Sequence, residues 1–429
     1  MTTVSIGVRI VLLTCSAASL WLGIYFLRLF WFTKTQTQDQ IFFIAAFAVA
    51  LGLIIVSFGP LQRRLSVLLS LISLGIGLMG VECALRFIEA RTVGKSPDSK
   101  QTTSPAPVSA PAAHLWVNGA SLCEAPPLPP PPLLPLGSIS STTMLCRYED
   151  GQPALYATDP RGFINPSNIW DSAAFKAILV GDSFTQGFSV PPSDSYATQL
   201  RKQLGDVLNL GQAGAGPLME WAILKEYTSH LRFQKIIWFY FEGNDFLDLK
   251  REKNNPFLNR YLTSSAYSQS LLSRQPEINQ LLTDYSRSRN GERNAAPAPE
   301  KFRVREIIGL RTMRGRLGIS FALLDDLKLF ESILAQTADY ARKNHATFHL
   351  VYLPAWERYA LKSRSRPRKT EIRFLTTRCG AQFIDIEEVF SRQPNPLSLF
   401  HAPVNSHYNQ EGHTLVSQTV LRALAGDSK

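Results

Sequence analysis

The chain has 429 residues, 45% of them hydrophobic, and a formal net charge of +11. It is long enough for one or two domains with a sizeable core, and apolar enough to exclude an even mixing of its apolar and charged residues. Its five cysteines show no CxxC or Cys/His spacing, which argues against a zinc site.

The apolar residues are concentrated first at the N-terminus. Stretch 10–27 carries no charge and is bracketed by Arg9 and Arg28. Stretch 41–58 is likewise uncharged and ends at Gly59-Pro60 and the pair Arg63-Arg64. A third run, 65–81, closes on Glu82 and Arg86, spaced to meet on one helix face. Each run is about 17–18 residues, near the lower limit for a helix crossing the hydrocarbon. Trp21, Tyr25, Trp31 and Phe32 gather toward one end of the first run, as an interfacial belt does. A cleaved signal peptide is the alternative for that run. Two further runs follow it, and no small-residue cleavage site ends it. The expectation is therefore a multi-pass transmembrane region, 1–91, with spans 10–27, 41–58 and 65–86, in contact with the bilayer.

Arg9, Arg63 and Arg64 favour a cytoplasmic N-terminus, and three crossings then put the C-terminal domain outside the cytoplasm, in the periplasm. Lys34, Arg91 and Lys95 vote the other way. In an exported domain Cys123 and Cys146 have the option of a bridge, leaving Cys379 unpaired, while Cys15 and Cys83 fall in spans.

Residues 92–143 turn to Ser, Thr, Ala and Pro, including the proline-rich run 126–132. That composition reads as an extended spacer rather than a core or a ligand for an SH3-like module. Over 144–429 short apolar runs alternate with helical periods. Strands are expected at 177–180, 207–210, 236–241, 347–353 and 383–386. Helices are expected at 196–204, 218–231, 323–343, 371–378 and 411–424. The alternation implies α/β architecture, a parallel sheet covered on both faces, with the active edge at the strands' carboxyl ends. Stretch 250–319 breaks the rhythm and reads as a lid or substrate-binding insertion, or as a partly disordered surface loop. The basic run 362–369 (KSRSRPRK) suits an anionic headgroup or glycan, but a solvated surface is the more frequent meaning of such a run. Nucleic acid is not expected as a partner of an exported domain.

Gly181-Asp182-Ser183 follows directly on the first strand, so Ser183 sits at a strand-to-helix turn where a base can reach its hydroxyl. Stretch 178–190 (ILVGDSFTQGFSV) resembles the first block of the SGNH, or GDSL-type, hydrolases. Stretch 209–217 (NLGQAGAGP) resembles their second, 241–245 (FEGND) their third, and 405–413 (NSHYNQEGH) their last. The segment Tyr352-Leu353-Pro354 is similar to one in membrane-linked and exopolysaccharide-associated members. The resemblance implies a flavodoxin-like three-layer sandwich. It also implies Ser183 as nucleophile, His407 as base, and an oxyanion hole made by the Ser183 and Gly214 amides and the Asn244 side chain. No metal or cofactor is implied.

Two positions depart from the family pattern. Glu242 stands where a glycine usually precedes the asparagine by two residues, with Gly243 beside it. Asn405 and Val404 stand where an aspartate usually orients the histidine. Asn405 can still accept a hydrogen bond from the ring but supplies no charge. The outcomes are a working Ser-His-Asn arrangement, which is favoured, a rescue by Glu411 or Asp385, or a weakened enzyme. His401 and His413 are alternatives to His407 that the block spacing disfavours, and Asp182 and Asp245 are expected to serve their own turns. The resemblance implies a serine esterase or acyltransferase acting on an O-acyl, in the first place O-acetyl, glycan ester. Transfer from a cytoplasmic donor would require a membrane acyl-donor protein as partner. The alternatives are a lipase or lysophospholipase on membrane lipids and a catalytically silent glycan-binding or assembly protein.

Overall fold

In the computed structural model, residues 2–33, 38–93, 133–147, 153–292, 323–360, 368–401 and 407–426 are described. The chain divides into two units, Met1–Pro107 with Ala298–Leu324, and Val108–Pro297 with Asp325–Lys429.

The first unit holds three helices, α1 (Thr2–Thr33), α2 (Gln38–Ser57) and α3 (Leu61–Val93). Helices α1 and α2 pack through small residues: Ser16 donates its hydroxyl to the Ala50 carbonyl at 2.9 Å, and Gly23 faces Ala46. Arginines gather where α2 turns into α3. Arg64 donates to the Gly59 carbonyl (2.7 Å) and to Ser5, and the Arg9 guanidinium lies 4.2 Å over the Phe58 ring. Ile44, Ile55, Leu69 and Ile76 are exposed on the outside of this unit, where water would be a poor neighbour. Thr3–Leu29 and Leu61–Glu82 are long and apolar enough to cross a bilayer, whereas the apolar part of α2, Phe43–Ser57, is shorter. The run expected at 41–58 is thus a helix, but a short one.

In the second unit the expected spacer ends earlier than residue 143. Leu133, Leu134 and Leu136 are buried, and the Leu134 amide donates to Gln269 Oε1 at 2.7 Å. Leucines among the prolines give this end of the segment something to bury. Residues 94–132, including Cys123, lie outside the described residues. A hairpin follows, β1 (Thr143–Arg147) antiparallel to β2 (Pro153–Ala157), which the sequence did not announce.

The main chain then alternates through β3 (Ala177–Val180), α4 (Ser183–Gln186), α5 (Tyr196–Leu204), β4 (Val207–Asn209), α6 (Pro217–Thr228), β5 (Lys235–Phe241), α7 (Asp245–Glu252), α8 (Pro256–Thr263), α9 (Gln275–Glu292), α10 (Leu323–Lys343), β6 (Thr347–Leu353), α11 (Trp356–Ala360), α12 (Lys369–Arg378), β7 (Gln382–Asp385), α13 (Ile386–Ser391) and α14 (Gln410–Gly426). The five later strands are all parallel, in the spatial order β4-β3-β5-β6-β7. That is the flavodoxin-like order 2-1-3-4-5, whose crevice opens between the first and third strands, here β3 and β5.

Successive side chains on a strand point to opposite faces, and the two faces bury different helices. Leu179, Ile237, Phe239 and Val351 pack with Leu200 of α5, Phe390 of α13 and Val416 and Val420 of α14. On the other face Trp238 donates its indole N–H to Glu220 of α6 at 2.5 Å, and Tyr240 stacks near Phe330 of α10. The three-layer α/β sandwich expected from the sequence is the fold observed. Stretch 250–292, expected as lid or loop, is helical and fastened. Glu226 of α6 accepts from Tyr261 Oη, Ser268 Oγ (2.9 Å), and the amides of Gln269 (3.1 Å) and Leu271 (2.7 Å). The rest of that stretch, 293–319, lies outside the described residues.

Candidate active site

The turn after β3 begins with Asp182, whose carboxylate caps α4 by accepting the Phe184 amide at 2.9 Å. Ser183 is the first residue of α4, half-buried, at the carboxyl edge of the sheet. Its Oγ lies 2.7 Å from His407 Nε2, across 224 residues of chain. Both side chains are half-buried, so the pair is screened from bulk water yet reachable.

The imidazole is held by rings. Phe184 lies at 4.5 Å between centroids and Phe188 at 5.1 Å, edge-on. The next residue, Tyr408, is buried and donates its hydroxyl to the Pro354 carbonyl at 2.6 Å, tying the His407 loop to the end of β6. His401 donates its amide to the His407 carbonyl at 3.1 Å. These aromatic partners were not foreseen; the aromatics at 184, 188 and 408, beside the two key residues, were the available signal. Asn405, expected to orient the ring, lies outside the described residues. The two carboxylates considered as substitutes are otherwise placed. Asp385 caps α13 and pairs with Lys369 and Arg373, and Glu411 is exposed in the first turn of α14. His413 is fully buried, accepts the Tyr196 amide on Nδ1 at 3.2 Å, and belongs to the core.

The loop after β4 is stitched under the Ser183 turn. Leu210 donates its amide to the Leu179 carbonyl, Gln212 to the Gly181 carbonyl, and Asn209 Nδ2 to the Thr185 carbonyl, at 2.8–3.0 Å. A Cβ on Gly211 would stand 2.3 Å from the Gln186 amide nitrogen, so only glycine permits this approach. Gly214, further along the same loop, has φ +75°, a left-handed conformation that costs glycine nothing. Asn244 follows β5 as the N-cap residue of α7, without capping it through its side chain. Its Nδ2 donates to Asp248 Oδ2 at 2.8 Å, and its Oδ1 is buried with no partner among the described residues.

Glu242 gives the departure at that position a purpose. Its buried carboxylate accepts the Ala355 amide (2.8 Å), Arg358 Nε (2.8 Å) and Nη2, and the Tyr352 hydroxyl. It therefore ties the end of β5 to the end of β6. Arg368 and Lys369, at the end of the basic run, are occupied locally. Arg368 lies over the Phe246 ring, and Lys369 pairs with Asp385 and Glu387. Residues 361–367 lie outside the described residues.

No protein-family model and no curated protein matches the chain. Solved structures do. The acetyl xylan esterase AlAXEase is 13% identical, with 58% of this chain and 99% of that one covered and a TM-score of 0.34. A lipase/acylhydrolase from Enterococcus faecalis is 12% identical, with 59% and 96% covered and a TM-score of 0.34. A lipolytic protein of the G-D-S-L family from Desulfitobacterium hafniense DCB-2 is 13% identical, with 57% and 97% covered and a TM-score of 0.32. In fold, this chain is similar to G-D-S-L lipolytic proteins and esterases. At such low identity the chemistry has to stand on Ser183 and His407.

Beneath the site lies a group of buried carboxyls. Burial pushes Asp182 up to about 7, against the Phe184 amide and the charge of His407, which pull it down. Burial likewise pushes Glu252 up to about 7, and Glu220 and Asp245 well above the usual carboxylate range. A carboxyl raised on folding contributes stability that is full below its unfolded value, about 4.5 for Glu252, and lost as pH rises through about 7. His413, lowered to about 3 by burial, acts in the opposite sense, losing stability as pH falls below 6.5. Four carboxyls outweigh one imidazole. Thermal unfolding is therefore expected at lower temperature at pH 8 than at pH 5, and Glu252→Gln flattens that dependence. An unfolding midpoint that rises steadily across this range would contradict the assignment.

Proposed function

We propose that the chain is a membrane-anchored SGNH-type serine esterase or acyltransferase acting on O-acyl, foremost O-acetyl, esters of a cell-surface or exported glycan. The observation that carries this reading is the 2.7 Å approach of Ser183 Oγ to His407 Nε2 at the carboxyl edge of the sheet.

With His407 neutral and its proton on Nδ1, Nε2 accepts the Ser183 proton as Oγ attacks the ester carbonyl carbon. The carbonyl π bond opens and its oxygen takes negative charge, facing the amides of Ser183 and Gly214 and Nδ2 of Asn244. Donors aimed at a developing oxyanion are the strongest lever available, about 2.7–4 kcal/mol for each one lost. Collapse breaks the bond to the leaving alcohol, which takes the proton from His407 Nε2 and leaves an acyl group on Ser183. Water completes hydrolysis; a second alcohol completes transfer. Asn405 is the residue we assign as acceptor for the ring's Nδ1–H, a role that supplies no charge. The charge of His407 favours the ionised form of Asp182 against the burial that raises it.

Membrane attachment is supported by the apolar exteriors of α1 to α3, and a periplasmic catalytic unit by Arg9, Arg63 and Arg64. Hydrolysis needs no partner protein, whereas transfer from a cytoplasmic donor needs a membrane acyl-donor protein.

The test is acyl release by the full chain in detergent or nanodiscs. Acetate from an O-acetylated glycan, absent with Ser183→Ala, is the expected result. Release of long acyl chains from lysophospholipid alone would make the enzyme a lipase, and release of neither would sink the esterase reading.

A further inference from the structure

We propose that α7 sets both outer donors of the oxyanion site, with Asp248 and Glu252 as positioning residues. The inference rests on the ester chemistry proposed for Ser183. Residues 244, 248 and 252 are spaced by four, so they rise as a column on one face of α7. At the foot of the column Asn244 Nδ2 donates to Asp248 Oδ2 at 2.8 Å. An ionised carboxylate only accepts, so it selects the nitrogen end of the amide. Flipping Asn244 would set its oxygen against that carboxylate. One N–H of Nδ2 is thereby spent on orientation, and the other remains for substrate. The orientation is maintained although Asn244 Oδ1 is buried without a partner among the described residues, a state that is expensive unless something enforces it. Arg251 holds the other oxygen of Asp248 at 2.8 Å.

One turn further, Glu252 reaches the loop that carries Gly214. Its Oε1 accepts the Gly216 amide at 2.6 Å, and its Oε2 those of Leu218 (3.0 Å) and Met219 (3.3 Å). These are amides that the start of α6 leaves without helical partners, and Gly216 has no side chain to cap them. The fit is close: a Cβ on Gly216 would stand 2.7 Å from the Asp248 Cβ. Asp248 and Glu252 are both buried. A single short helix therefore aims the asparagine donor directly and fixes the glycine donor through its loop.

A purely structural role would lower stability without linking either residue to a particular donor. The discriminating experiment is a double-mutant cycle on the full chain, with p-nitrophenyl acetate as substrate. Asp248→Ala is expected to lower kcat by about tenfold to a hundredfold, with KM little changed, because the asparagine donor is lost from the transition state only. On top of Asn244→Ala it should lower kcat by less than about twofold, since its target is gone. Glu252→Gln, acting through Gly214, should multiply with Asn244→Ala. Asp248→Asn, whose amide oxygen can still accept from Asn244, should restore part of the rate; it also carries the cycle if the alanine variant does not fold. An Asp248 effect as large without Asn244 as with it, or one confined to KM, overturns the proposal. An active enzyme with that result loses only this inference. A wild-type chain that turns over no ester, and whose Ser183 takes no fluorophosphonate, fails at the esterase reading itself.

Discussion

Ser183→Ala is expected to end covalent capture by a fluorophosphonate probe and to lower ester turnover by about 10⁴–10⁶-fold. The hydroxyl is the atom that forms the bond, and 2.7 Å to His407 Nε2 is a distance at which its proton can move as that bond forms. Removing the oxygen leaves α4 capped by Asp182 and the loop after β4 still fastened to Leu179 and Gly181, so the fold should survive. Some turnover should remain, because oriented donors still bind the oxyanion of a water attack. Labelling and hydrolysis in the wild type, compared with the variant at matched folding, measure this directly. Equal labelling of both proteins would move the nucleophile elsewhere.

Replacing His407 by alanine should have an effect of the same order, and the double variant with Ser183→Ala should be no slower than either single one. Residues that act as one unit lose their function once. The ring is seated between Phe184 and Phe188, and His401 and Tyr408 fix the backbone around it. His413→Ala makes the natural control. That imidazole is buried, bonded to the Tyr196 amide and packed at a tilt against the Tyr196 ring, so its loss should lower the unfolding temperature rather than shift the rate per folded molecule. Kinetics of purified variants with circular-dichroism melts separate the two. A His413 variant that folds normally but loses the rate, beside an active His407 variant, would reverse the assignment.

Much of the sheet was legible because its strands are short apolar runs with few rival conformations. β3, β6, α5 and α10 have the bounds their periodicity implied. Helix α6 starts one residue early because Pro217 suits a first helical turn, where its missing N–H is no loss. The hairpin β1–β2 was not legible, since its two five-residue strands begin at the very end of the spacer and carry no marked apolar run. α7 to α9 were hidden for a different reason. They lie in a stretch without a clear apolar period, and the order of α8 and the turn after it comes from a remote partner, Glu226, which local pattern does not reveal. Ser183 and His407 were found by resemblance at four blocks, and the fold brings them together. The four-residue spacing of Asn244, Asp248 and Glu252 was present in the sequence but has meaning only once a helix is placed there.

The knot around Glu226 bears on how freely this segment can move. A phenol, an alcohol and two main-chain groups from one segment converge on that single side chain. Swinging α8 and the turn after it aside would break all four at once and strand the acid among greasy neighbours, a penalty of several kcal/mol on each visit. Such a flap would stand open only a small fraction of the time. The turn after α8 is therefore a fixed wall of the domain and not one of its moving parts.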